Sequence, residues 1–238
     1  QVKSNIFADM EATDKFIDAW VSGNNIILST KNNRVVSFST DWAFKYVNVI
    51  GQDKWSDISR LDTFNSNIYL INKEKNQIVM HSPSLGNFNT WKTYFKPEDS
   101  KKISILDFAI DWGIYVLKND LSLIKFFSSP YRVESIVLNN LPNNYAFEWQ
   151  SRDARIMAPI NSNYIFMSLN WRILVFKPNT KSFKDTKYLD YLGQLEPQNE
   201  KIKSFYVPRD WEIFVLTESW IYKVNFEVNW ENKIQITK

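Results

Sequence analysis

A β-propeller of four-stranded antiparallel blades is the fold this sequence predicts, on three observations. First, the 238 residues repeat one pattern five times: a mixed strand, a turn, a strongly apolar strand, a second turn, and a strand ending in an aromatic residue. Second, aligning Ile27, Tyr69, Tyr115, Phe166 and Phe214 sets the copies 42, 46, 51 and 48 residues apart. Multi-strand repeats of about 40–50 residues are the signature of propeller blades. Third, no long stretch sustains an apolar period of 3.6, while β-branched and aromatic residues fill the apolar runs.

The two central strands of each copy are the clearest elements. They read Asn25–Thr30 with Arg34–Phe38, Asn67–Ile71 with Gln77–Met80, Gly113–Leu117 with Ser122–Phe126, Tyr164–Met167 with Arg172–Phe176, and Glu212–Leu216 with Ile221–Phe226. Near-continuous apolar runs such as Ile114-Tyr-Val-Leu117 suit strands covered on both faces. A weaker outer strand, more polar because one side meets water, is expected at Tyr46–Ile50, Trp91–Phe95, Val133–Leu138, Lys187–Tyr191 and Ile234–Thr237. The Pro-, Asn- and Lys-rich stretches Lys96–Lys102, Asn139–Asn144 and Glu196–Lys201 read as surface loops. A single domain over 1–238 is expected, with about five blades near 16–56, 57–102, 103–150, 151–200 and 201–238. All-β chains of this length commonly form one domain.

Tryptophan stands where glycine is expected. There are ten Trp and five Gly, against an average Gly share of about 7%. Trp42, Trp112 and Trp211 follow Asp, Trp171 and Trp230 follow Asn, and Trp220 follows Ser219. Asp-Gly and Asn-Gly are strong hairpin signals because a type I′ turn needs φ > 0 at both central residues. A Cβ crowds the backbone in that conformation. Two readings follow. Exposed aromatics can stack on ligands or anchor partners. Alternatively, these codons are read as glycine in the source, as some bacteria read UGA, and ordinary translation gives Trp. Recurrence at two turns on opposite ends of each blade favours the glycine reading, which expects exposed indoles on strained or remodelled hairpins. Trp91 follows Thr90 and leads a strand, so it is expected to be a genuine core tryptophan.

The five "turn, Ile-Tyr-Val-Leu, turn, Ile-Leu-Val-Phe" units resemble bacterial β-propellers of the NHL, SMP-30 and strictosidine-synthase-like kind. The resemblance runs from about Phe16 to Phe226. It is strongest to envelope propellers of reduced-genome bacteria, in which Asp-Gly-x-Ile-Tyr-Val-Leu recurs. Reading Trp112, Trp171, Trp211 and Trp220 as glycine sharpens it. The resemblance implies a radial fold with a central channel, and weakly an extracytoplasmic or envelope location. The chain opens at Gln1 rather than Met, as expected of a processed piece with an upstream anchor or domain.

The chemistry is sparse. A formal charge of +3 comes from Lys and Arg interspersed with Asp and Glu, not from the basic cluster a nucleic-acid partner needs. There is no Cys, so thiolate chemistry and the usual Cys/His zinc sites are excluded. His81 is the one histidine; it reads as structural rather than as part of a Ser-His-Asp arrangement. No phosphate-cradling glycine loop is present, and no apolar run is long enough to span a membrane. No catalytic residue, metal or cofactor is expected.

A ligand site is expected on five inner-strand residues facing the channel: Asp18, Arg60, Asp107, Arg155 and Lys203. The repeat alignment sets Asp18, Arg60, Leu106, Met157 and Lys203 at matched positions, with Asp62 nearby. This mixture of charges suits binding rather than coordination of one cation. The function expected is therefore non-catalytic binding or scaffolding of a protein or small ligand. The alternative, implied by the resemblance to SMP-30-like lactonases, is a hydrolase using a channel-bound cation. Three or more carboxylate or amide oxygens converging on one point would mark that alternative.

Overall fold

The computed structural model describes residues 15–22, 25–39, 44–55, 57–85, 87–129, 131–142, 154–160, 162–169, 171–183, 186–196, 200–209, 212–217, 219–229 and 234–237. The chain divides into two compact units that meet in sequence at Ile105 and Leu106. Strands dominate both. The helical content of the described residues is the short helix Pro97–Ser100, inside the first predicted loop, and a 3-10 turn at Gln52–Lys54.

The first unit holds two four-stranded sheets, each in sequence order. One contains β1 (Phe16–Ser22), β2 (Asn25–Thr30), β3 (Val35–Ser39) and β4 (Phe44–Val47). The other contains β5 (Ile58–Phe64), β6 (Asn67–Asn72), β7 (Gln77–Ser84) and β8 (Asn87–Thr93). Every neighbouring pair is antiparallel. The central strands are buried on both faces: Val35 to Phe38 of β3 and Ile68 to Asn72 of β6 are all covered. Alternate faces of β6 therefore contribute to packing on both sides, and full burial of an Ile or Leu is worth about 1.5–3 kcal/mol. The core between these sheets joins Ile27, Val35, Val47 and Val49 to Ile58, Leu61, Ile68, Leu70 and Phe88.

The β5–β6 hairpin shows how this glycine-poor chain turns. Phe64 pairs with Asn67, and Asn65 and Ser66 between them take φ of 48° and 64°. Those are the signs a two-residue type I′ turn requires, met by residues whose short polar side chains tolerate the left-handed region. In β7 the register shifts between Ser82 and Pro83, which places the proline at a bulge, where its missing N–H is harmless.

The second unit contains three more sets of four strands. They are β9 (Ile105–Ile110), β10 (Ile114–Lys118), β11 (Leu123–Ser128) and β12 (Tyr131–Asn139); β13 (Arg155–Met157), β14 (Ile165–Leu169), β15 (Arg172–Phe183) and β16 (Thr186–Leu195); and β17 (Ser204–Arg209), β18 (Glu212–Leu216), β19 (Ile221–Val228) and β20 (Ile234–Thr237). Each predicted outer strand overlaps one of β4, β8, β12, β16 and β20.

One feature departs from separate four-stranded blades. The outer strands β12 and β16 pair in parallel from Ser135↔Thr186 to Asn139↔Asp190, which fuses two sets into an eight-stranded sheet. β15 and β16 are long enough to reach over, at 12 and 10 residues. Asp190 secures the junction, accepting from Asn139 Nδ2 at 3.2 Å and Asn179 Nδ2 at 2.7 Å. A shorter version occurs in the first unit. Val49 bridges Phe88 in parallel, the Ile50 N–H donates to Phe88 O at 2.8 Å, and the Phe88 N–H donates to Asn48 O at 3.0 Å. Outer-edge pairing covers backbone groups that an open edge strand leaves exposed.

Candidate functional site

The inner strands carry the predicted site, and the structure gives each residue a local setting. Asp18 is half-buried on β1, at the register shift after Phe16. Its Oδ2 accepts from the backbone N–H of Leu61 on the next inner strand at 3.1 Å, and its Oδ1 accepts from the Ala19 N–H. Arg60 is half-buried on β5, and its Nη1 donates to Ser59 O at 3.2 Å.

The second unit repeats the Asp18 arrangement. Asp107 is 4% exposed on β9, and its Oδ2 accepts from the N–H of Ile156 on β13 at 2.8 Å. One step further, Met157 Sδ receives the Val207 N–H of β17 at 3.2 Å. In each case a side chain on one inner strand satisfies a backbone donor on the next, where two adjacent first strands share no ladder of their own. An unpartnered buried N–H costs about 1–3 kcal/mol, so these contacts brace blade to blade.

Arg155 and Lys203 occupy the corresponding place in their own blades. Arg155 is half-buried at the start of β13, with its N–H on Ser168 Oγ at 3.2 Å. Lys203 is exposed just before β17, with its N–H on Leu216 O at 2.8 Å. Each therefore enters its blade beside the end of the second strand. Beside their second strands Asp18, Arg60, Arg155 and Lys203 stand at one level: Asp18 pairs with Ser29, Arg60 lies in the bulge opposite Ile71, Arg155 pairs with Ser168, and Lys203 meets Leu216, each two residues beyond Ile27, Tyr69, Phe166 and Phe214. Met157, expected at the same level, pairs with Phe166 itself.

His81 is fully buried on β7, with ring centroids 5.2 Å from Trp55 and 6.1 Å from Trp91. Trp91, expected in the core, is half-buried on β8. A Cβ at Gly51, where φ is 81°, would fall 2.3 Å from its ring, so that glycine is required both by conformation and by close approach. Among the described residues, no group of three or more His, Cys, Asp or Glu is arranged to hold a metal ion.

The turn tryptophans are exposed: Trp112 at 80%, Trp220 at 64% and Trp171 at 42%. Trp42, Trp211 and Trp230 lie outside the described residues. Of the strained or remodelled hairpins expected, strain is not the form taken at Trp112 and Trp220, neither of which adopts a left-handed conformation. The described left-handed non-glycine positions are Asn33, Asp57, Asn65, Ser66, Asn76, Leu85, Leu121 and Asn140. At Trp112 the turn is set by Asp111, whose Oδ1 accepts the Gly113 N–H at 2.7 Å.

Sequence reasoning missed a polar row across β10, β11 and β12. Tyr115 pairs with Lys125, which pairs with Glu134. Lys125 Nζ reaches Asp111 Oδ2 at 2.7 Å and Tyr115 Oη at 3.0 Å, while Arg132 Nε lies 2.9 Å from Glu134 Oε1. Burial, then the charges of Asp111 and Glu134, push the Tyr115 hydroxyl above the ordinary tyrosine range. Cross-strand register alone brings these residues together, and no contiguous motif signals it.

No protein-family model and no curated protein matches this sequence. Solved structures do match its fold. A chain of the yeast Nup82-Nup159-Nup116 nucleoporin complex aligns with a TM-score of 0.62 at 13% identity, over 93% of this chain and 75% of that one. A streptogramin B lyase gives 0.56 at 13%, over 95% and 84%. Hsv2 of Kluyveromyces lactis gives 0.53 at 10%, over 96% and 73%. These neighbours are β-propellers, and the present chain is an all-β propeller built from antiparallel blades.

Proposed function

We propose that this propeller is a non-catalytic binding or scaffolding module for a protein or small ligand. The observation that carries the reading is the division of labour among inner-strand polar residues. Asp18 and Asp107 hold the next blade's backbone, whereas Arg155 and Lys203 stand where their inner strands begin, beside the ends of β14 and β18. In this reading Arg155 and Lys203 meet the ligand, and the two aspartates maintain the inner-strand spacing. A chelating cluster would favour the lactonase-like alternative; Asp18 and Asp107 instead accept backbone N–H groups, and Asp111 meets Lys125.

The test has two arms. Purified protein is assayed for hydrolysis of a lactone panel with Ca²⁺, Mn²⁺ or Zn²⁺; no turnover above buffer is expected. Cross-linked pull-down from the source organism should give a saturable partner whose retention falls with Arg155→Glu plus Lys203→Glu. Metal-dependent lactone turnover would overturn the reading.

A further inference from the structure

We infer that Lys54, Lys75 and Trp91, all in the first unit, form a binding site for a phosphate monoester. The site shares no residue with the one proposed above, so the two stand or fall separately.

Two cations share one aromatic ring here. Lys54 Nζ lies 5.6 Å from the Trp91 ring centroid and Lys75 Nζ lies 5.9 Å from it. The ring quadrupole attracts each ammonium group, but two ammonium groups gathered on one indole also repel each other. No carboxylate relieves them. Asp53 and Glu74 are exposed beside the lysines in sequence, yet among the described residues neither Lys54 nor Lys75 is ion-paired. Three separate elements bring the group together: Lys54 ends the 3-10 turn between β4 and β5, Lys75 sits in the β6–β7 turn, and Trp91 lies on β8.

Both lysine-bearing backbones are fixed in advance. The Lys54 N–H donates to Gly51 O at 2.9 Å, and the Gln52 side chain donates to Asn33 O. The Lys75 N–H donates to Asn72 Oδ1 at 3.2 Å, and the Asn76 N–H donates to Lys73 O at 3.1 Å. Turns held in this way lower the ordering cost of binding. The surroundings add a donor rather than an acceptor. Trp55, next to Lys54 in the chain, has a buried indole N–H with no acceptor; its ring meets His81, whose ring meets Trp91. Cations and donors without acceptors select an oxyanion. A phosphate monoester carries about −1.5 to −2 charge at pH 7, enough to balance two ammonium groups at once, whereas a carboxylate balances one. Lysine serves such a group as a point charge on a flexible stem. A nucleic-acid strand instead presents its charges in a row and needs a track of cations. The glycine reading of the turn tryptophans leaves Trp91 in place, so the site does not depend on it.

The probes are inorganic phosphate and phenyl phosphate, added to the intact chain at constant ionic strength. The reporter is the Trp91 indole N–H resonance, assigned by its loss in Trp91→Phe. A saturable shift is expected with each probe. Lys54→Gln and Lys75→Gln should each weaken binding about fivefold or more, while Lys54→Arg and Lys75→Arg should largely keep it. Lys54→Met and Lys75→Met, which keep an apolar stem against the ring, replace any glutamine variant that lacks a native melting transition. Lys177→Gln, at an exposed lysine of the second unit, should leave affinity unchanged. No saturable shift, an equal shift with chloride or acetate, or an affinity unaltered in both glutamine variants would overturn the proposal. Tighter binding of oligothymidylate than of phenyl phosphate would also overturn it. None of these results bears on the lactone and pull-down assays, which test the Arg155 and Lys203 reading.

Discussion

Asp107 shows how much a single buried carboxylate does in this fold. It is nearly inaccessible, and one of its oxygens meets the Ile156 N–H. Asp107→Ala should destabilise the protein by about 1–3 kcal/mol by leaving that donor unpaired. Asp107→Asn, which keeps an amide oxygen, should recover part of the loss; denaturant titration reads both. Tyr115 and Tyr69 make the corresponding alkaline prediction. Burial is the first cause raising both hydroxyls above the ordinary value, with Asp111 next for Tyr115 and Tyr94 next for Tyr69. A raised folded pKa stabilises the protonated form. That contribution is complete below the unfolded value of about 10 and is lost as pH rises beyond it. Melting temperature should therefore drop steeply above about pH 10, and Tyr115→Phe should flatten the drop. Trp112 supplies a further residue-scale test. Its backbone lies outside the left-handed region and its indole is largely in water. Trp112→Gly is expected to leave the melting temperature unchanged or lower it slightly through backbone entropy. A rise would show that the hairpin converts to the form glycine permits.

At the scale of elements, the parallel junction of β12 and β16 binds two blades through their outer strands rather than through inner packing alone. Asp190→Ala removes the acceptor shared by Asn139 and Asn179. It should cost about 1–2 kcal/mol and speed amide exchange across Ser135–Asn139, with little change in β9 or β10. Uniform acceleration throughout the sheet would argue against a local clasp. The outer strands also show why their positions were legible while their partners were not. The more polar character of Val133–Leu138 and Lys187–Tyr191, beside the apolar central strands, marks each as a half-covered strand. Nothing in either segment states that the two would lie side by side, because edge pairing depends on where the long β15–β16 hairpin reaches.

For the molecule as a whole, the repeat spacing was enough to recognise blades, since a sheet buried on both faces demands continuous apolar runs at regular intervals. The candidate site was legible only in part. The types of residue on the inner strands and their level beside the second strands could be read from the repeats, as Asp18, Arg60 and Arg155 show; which of them hydrogen-bond to the next strand could not. The Lys125 row was invisible because it is assembled across strands. Composition, the five repeats and the alternation of covered and half-covered strands determine the propeller class from sequence alone, because hydrophobic periodicity is a local property of the chain. Tertiary structure decided which aspartates brace neighbouring blades, which outer strands fuse and which apolar residues remain in water, because register and edge contact exist only once separate strands are brought together.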